Sequence, residues 1–310
     1  MKSAAIRTLP LLLAAIAVFV FWRELHGMSV AQFLSSVDQW SKTRAGVALG
    51  LVSSSYLCLA LNEQVGLRWA GARVKLASGV TASFIAHALA NNLGMGVLAG
   101  GALRVSVFTR HGVSLVQVAK ITAYGTVTFS LGVAALAGWS LLNAPDSTFA
   151  ALQLGPILGR VLGALLAATP ALYLLFCALA PDGMTVFGHE FRPPKPGIGL
   201  VQICFGMADV ALSAGLFWLL LGPAAPPYSA FLAAYLISLT TGLVSGVPGG
   251  MGVFESGMLL LLPSVNSGVV AAALLGYRLF YYLAPLSLAL VLLLVDRRHA
   301  QPAADADQPN

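Results

Sequence analysis

Charge is scarce in this chain. Of 310 residues only 9% are charged while 58% are apolar, against roughly 25% charged in a soluble domain. A surface built from this composition would not be solvated, which excludes a soluble globular fold and makes the chain an integral membrane protein. Cysteine is also rare. Cys58, Cys177 and Cys204 lie in apolar segments without metal-ligand spacing, which argues against disulfides or a zinc centre and leaves packing as their role. Catalytic signatures are missing: there is no metal-ligand His pair and no Gly-x-Ser-x-Gly elbow, and the Gly-rich stretches lack the Gly-Lys-Ser/Thr of a phosphate loop. The sequence therefore asks for no catalytic residue, metal or cofactor. The net charge of +6 would suggest nucleic acid in a soluble chain. Here it bears on orientation, and no nucleic-acid partner is expected.

Long apolar runs are plentiful. Runs of spanning length lie at 9–22, 45–63, 115–142, 157–180, 199–221 and 266–295. The first follows Lys2 and Arg7 as a secretory signal would, but no small-x-small cleavage site follows in Phe21–Leu25, so it reads as an uncleaved span. Two further stretches, 76–109 and 228–262, carry the glycine pairs Gly100-Gly101 and Gly249-Gly250. If both are hairpins, ten Lys and Arg face the cytoplasm (Lys2, Arg7, Arg68, Arg73, Lys75, Arg110, Arg192, Lys195, Arg297, Arg298) and four face out (Arg23, Lys42, Arg44, Arg160). Single crossings would give eight against seven. The positive-inside rule favours hairpins, with both termini cytoplasmic. The expected fold is all-α: a polytopic helical membrane protein of about six full spans plus two Gly-broken hairpin segments over residues 1–298. A disordered cytoplasmic tail follows at 299–310. Trp22, Trp40, Trp69, Trp139 and Trp218 fall at expected helix ends, as interfacial anchors do. Residues 28–41 read as a short interfacial helix, and 181–197 as a Pro- and Gly-rich loop.

The hairpin reading gives the two halves opposite topology. Ala99–Arg104 leads to a helix with Lys120 and Tyr124, and Pro248–Glu255 leads to one with Tyr277 and Arg278; this is an inverted repeat, a transporter architecture. The expected helix breaks are Gly100, Gly101, Pro248, Gly249, Gly250 and Gly252. Six charges fall inside the membrane: Glu63, Arg104, Lys120, Asp209, Glu255 and Arg278. Each costs roughly 2.5–3.5 kcal/mol at a helix centre. They can pair as structural salt bridges or face a polar cavity, and both readings stay open. Arg104 and Glu255 stand beside the glycine pairs and would bracket one site if the hairpin tips meet. His87, Asn91 and Asn92, just before a glycine-rich break, read as cavity lining.

The segments His87–Gly96, Ala99–Arg104 and, most specifically, Val247–Glu255 resemble the membrane domain of lysylphosphatidylglycerol synthase/flippase proteins and their stand-alone flippase-like relatives, over about residues 1–298. The resemblance implies an eight-helix flippase-like domain in the cytoplasmic membrane. It would translocate a phospholipid, aminoacylated or otherwise head-group-modified, between leaflets. The soluble synthase domain of the bifunctional members has no counterpart here, so a translocase rather than an enzyme is implied. The charges expected to matter are Glu63, Arg104, Asp209 and Glu255. Arg104 would hold the lipid phosphate and Glu255 with Asp209 a cationic head group. Other functions stay open: an intramembrane lipid-modifying transferase or accessory factor of hopanoid or glycolipid synthesis, with Glu255 as general base, or a secondary transporter of a small ion or solute. The expected partner is membrane phospholipid. A homodimer and a separate lipid-modifying enzyme are also open, since Gly159 and Gly163 suit helix packing within one chain or between two.

Overall fold

The computed structural model describes residues 41–93, 96–180, 183–186 and 189–300. The span expected at 9–22, the interfacial helix expected at 28–41 and the tail beyond Ala300 lie outside them, apart from Ser41, whose hydroxyl caps the first described helix by accepting from the Arg44 N–H. That helix is α1 (Lys42–Trp69), followed by α2 (Leu76–Leu93), α3 (Gly96–Phe108), α4 (Leu115–Asn143), α5 (Asp146–Ala151) and α6 (Pro156–Leu179). Where a loop was expected, β1 (Met184–Val186) and β2 (His189–Phe191) form a small antiparallel hairpin. The chain then continues through α7 (Pro196–Leu221), α8 (Tyr228–Val244), α9 (Val253–Leu261) and α10 (Ser267–Tyr277), and a π-helical turn, Arg278–Leu283, joins α10 to α11 (Ala284–Ala300). Proline opens α6 and α7, at the helix start where no N–H is required. Among the described residues α1, α4, α6, α7 and the joined α10–α11 are long and apolar enough to cross a bilayer. The protein is a polytopic helical membrane protein.

Both Gly-bearing stretches fold back on themselves. Arg104 on α3 lies 3.1 Å from His87 on α2, 17 residues away in sequence, whereas an unbroken helix would part them by about 25 Å. In the second stretch a side chain at Gly257 on α9 would meet the Ser238 hydroxyl of α8 at 2.6 Å. The breaks are not both where the glycine pairs suggest. Gly100 and Gly101 sit within α3, while α2 ends at Leu93 and α3 begins at Gly96. Glycine weakens a helix by only about 1 kcal/mol, less than the several kcal/mol for leaving backbone groups unbonded in hydrocarbon. In the second hairpin Pro248 removes a donor, and Gly249, Gly250 and Gly252 take φ values of 62°, 64° and 79°, the left-handed region that glycine tolerates. The two tips meet: a side chain at Gly249 would lie 3.7 Å from the Asn92 carbonyl.

α7 is central, packed against α1, α4 and α10. Its crossing with α4 has no room for side chains: a Cβ at Gly132 would lie 2.3 Å from the Gly206 backbone. Without a hydrophobic force between helices in lipid, such close approach is what holds them together. Gly159 and Gly163 resolve the same way, pressed against Phe149 and Leu141 of this chain. α6 lies outermost and presents Ile157, Leu165, Leu172 and Leu179 outward. Trp69, Trp139 and Trp218 lie in or near the last turns of α1, α4 and α7.

Candidate functional site

A cavity of about 830 Å³ opens between the two hairpins, α1, α4 and α7. Its wall is largely apolar and aromatic, with His87, Asn91, Arg104 and Asp209 among its polar members. Glu63, Asn92, Lys120, Glu255 and Arg278 are not in the wall. The sequence-derived charges therefore divide into groups with different work.

Glu63 and Arg104 form the first group. Glu63 is 1% exposed and receives two hydrogen bonds from Arg104, Nε to Oε1 at 2.6 Å and Nη2 to Oε2 at 3.1 Å. This bidentate fork compensates two charges that would be prohibitive alone in the membrane. His87 completes it. Its Nδ1 lies 2.9 Å from the Ser83 carbonyl, which can only accept, so Nδ1 carries the proton and Nε2 accepts from Arg104 Nη2 at 3.1 Å. Arg104 Nη1 has no hydrogen-bond partner among the described residues and is not sealed from the cavity. Nη1 therefore keeps two N–H donors without a partner among the described residues.

Glu255 and Arg278 form the second group, and here the expected Arg104–Glu255 site is corrected. Glu255 pairs with Arg278, whose Nε donates to Oε1 at 2.8 Å and whose Nη2 reaches the same oxygen. Its other oxygen, Oε2, accepts from the Gly252 N–H at 2.6 Å, closing the start of α9. With both oxygens engaged, Glu255 clamps the second hairpin to the last span rather than facing Asp209 across a shared head-group site. The Arg278 guanidinium also lies 5.7 Å from the Tyr282 ring centroid. Lys120 is exposed near the start of α4, away from the cavity.

The asparagines divide as well. Asn91 is in the cavity wall and donates to the Tyr56 hydroxyl at 3.2 Å. Asn92 turns inward, donating to Ala88 at 2.8 Å and to the Tyr282 carbonyl at 3.3 Å. It thereby ties the first hairpin tip to the π turn. Pro285 cannot donate to the Tyr281 carbonyl, and the Tyr56 hydroxyl does so instead at 3.1 Å. Four tyrosines that sequence reasoning did not place at the site, Tyr235, Tyr277, Tyr281 and Tyr282, line the cavity. For Tyr277, Tyr281 and Tyr282 the sequence signal was their crowding around Arg278. Cys58 also stands in the wall and Cys204 is exposed, so of the three thiols only Cys177 is a buried packing residue.

Asp209 has no cation beside it among the described residues. It is 8% exposed, lies halfway along α7, and accepts one hydrogen bond, from the Ser55 hydroxyl at 2.5 Å. Ser55 lies halfway along α1 and is also 3.3 Å from the Tyr281 hydroxyl. At about 1.5 Å per residue both stand roughly 20 Å from either helix end, near the bilayer midplane.

No protein-family model matches the chain. It is 29% identical over 269 residues to the uncharacterized protein slr0712 of Synechocystis, covering 86% of this chain and 83% of that protein. It is 30% identical over 252 residues to inner membrane protein YbhN of Escherichia coli, covering 79% of this chain and 77% of that one. At 23% identity over 295 residues it is also similar to phosphatidylglycerol lysyltransferase of Staphylococcus aureus, matching 90% of this chain but 33% of that enzyme.

Proposed function

Because the chain belongs to the flippase-like membrane-protein family of YbhN and slr0712, we propose that it moves a phospholipid head group between leaflets of the inner membrane through the cavity between its hairpins, while the acyl tails stay in the bilayer. The observation that carries this reading is Arg104: a buried guanidinium, neutralised by Glu63, that lines a cavity of about 830 Å³ and keeps N–H donors without a partner among the described residues. Such a group suits a lipid phosphate, which takes charge-assisted hydrogen bonds from Arg. The likeness to a third of a phosphatidylglycerol lysyltransferase favours a lipid over a free solute. The reading assigns the chain no covalent chemistry. Alternating access would come from the two hairpins rocking against each other as halves of an inverted repeat, with both termini cytoplasmic.

The test is a leaflet assay in proteoliposomes with a head-group-labelled phospholipid. Replacing Arg104 alone would strand Glu63, so the variant is Arg104→Ala with Glu63→Gln. It should slow movement by about tenfold or more, as expected for one lost charge-assisted hydrogen bond, while Lys120→Ala keeps the parent rate. Equal rates for the double variant and the parent would refute the role of Arg104.

A further inference from the structure

We infer that Asp209 is a proton-binding site, and that the protein carries one proton with each lipid head group it moves, so that a proton gradient drives the transport. This rests on the lipid-moving reading above and supplies its energy source.

The inference starts from a charge count around the cavity. Arg104 is matched by Glu63 and Arg278 by Glu255. Asp209 has no such match: its polar partner is the neutral Ser55, and among the described residues no Lys, Arg or His reaches it. Its ionisable neighbours are Tyr56 and Cys58 on α1, Tyr235 on α8 and Tyr281 in the π turn, none of which brings a positive charge. Tyr277, on α10, is bonded to Tyr235 through its hydroxyl at 2.7 Å. Tyr124 of α4 and Tyr173 of α6 meet α7 at Gln202, about two turns from Asp209. Lys120 is farther along α4 and exposed.

An ionised carboxylate at midplane without a cation is tolerated only while water reaches it. Asp209 lines the cavity, so water does reach it when the cavity is open. When the cavity closes to reorient, the two ion pairs cancel among themselves and no described side chain supplies a cation for Asp209, so its carboxylate must be neutralised. A proton does this without disturbing the Ser55 contact, since the second carboxyl oxygen is free to carry it. The proton is taken up from the more acidic side, crosses with the occluded head group, and leaves on the more alkaline side. Acidic and histidine relays inside membrane proteins commonly mark such paths.

Two measurements test this. The first repeats the leaflet assay with a pH difference of about one unit across the vesicle wall. Parent protein should bias the labelled lipid toward the leaflet on the alkaline side by up to about tenfold, the ratio set by the proton gradient. Asp209→Asn should abolish the bias, and Ser55→Ala, which keeps the carboxyl but removes its partner, should move the pH at which the bias appears. Lipid that moves at the same rate and to the same ratio with or without the gradient would overturn the proton site and leave the lipid reading intact. The second measurement needs no transport. Infrared difference spectra of the purified protein between acid and alkaline pH should show a protonated-carboxyl band that titrates in the parent and is missing in Asp209→Asn. If no lipid moves under any condition the lipid reading fails. The spectrum then decides the proton site alone: a titrating band lost with Asp209 supports it, and its absence overturns it.

Discussion

The hydroxyl of Tyr56 donates to the carbonyl of Tyr281 at 3.1 Å, the acceptor that Pro285 leaves unserved. The same hydroxyl accepts from Asn91. One phenol thus joins α1, the first hairpin and the widened turn of the last span. Tyr56→Phe should lower unfolding stability in mixed micelles by about 1 kcal/mol, in the range for intramembrane hydrogen bonds. A stability equal to the parent would mean that the π turn satisfies itself.

The Glu63–Arg104 pair makes an asymmetric prediction. Glu63→Gln or Arg104→Ala alone leaves a charge buried among helices and should destabilise by about 3–5 kcal/mol. Replacing both residues, Glu63→Gln with Arg104→Ala, should recover most of that loss. Thermal unfolding of the three purified variants reads it directly, and a double variant less stable than either single one would contradict the pairing.

Helix contact at Gly206 leaves no space for a methyl group, since a Cβ there would lie 2.2 Å from the Thr128 carbonyl oxygen. Gly206→Val should push α4 and α7 apart and lose the folded monodisperse species in detergent. Gly46→Ala and Gly50→Ala, with nothing among the described residues within 4 Å of the added atom, should leave yield and melting temperature unchanged.

Cys58 offers a direct probe of the cavity. In a Cys204→Ser background, a small polar thiol reagent should modify Cys58 and spare buried Cys177. The modification should slow lipid movement, and excess substrate lipid should protect the thiol. An unreactive Cys58 would show that the cavity is closed to water.

The strained backbone of the second tip gives a local prediction. Gly249 and Gly250 both take positive φ, and alanine at either pays about 1–2 kcal/mol for the left-handed conformation. Faster hydrogen exchange at 246–252 is the expected readout.

Composition and hydropathy determined by themselves that this chain lives in a bilayer, because 9% charge cannot solvate a surface. They also located the five long spans among the described residues and both hairpins, since apolar length and Lys/Arg placement are one-dimensional properties. Pro248 marked its break for a local reason, the missing N–H, whereas Gly100 and Gly101 did not, because glycine only weakens a helix that the membrane holds together. What the sequence left undecided was who pairs with whom. Glu63 meets Arg104 across 41 residues, Glu255 takes Arg278, and among the described residues Asp209 meets a serine 154 residues away. Those partnerships depend on how close α1, α4 and α7 approach. Packing set by small residues on separate helices therefore decided which charges pair and which carboxylate is left without a cation among the described residues.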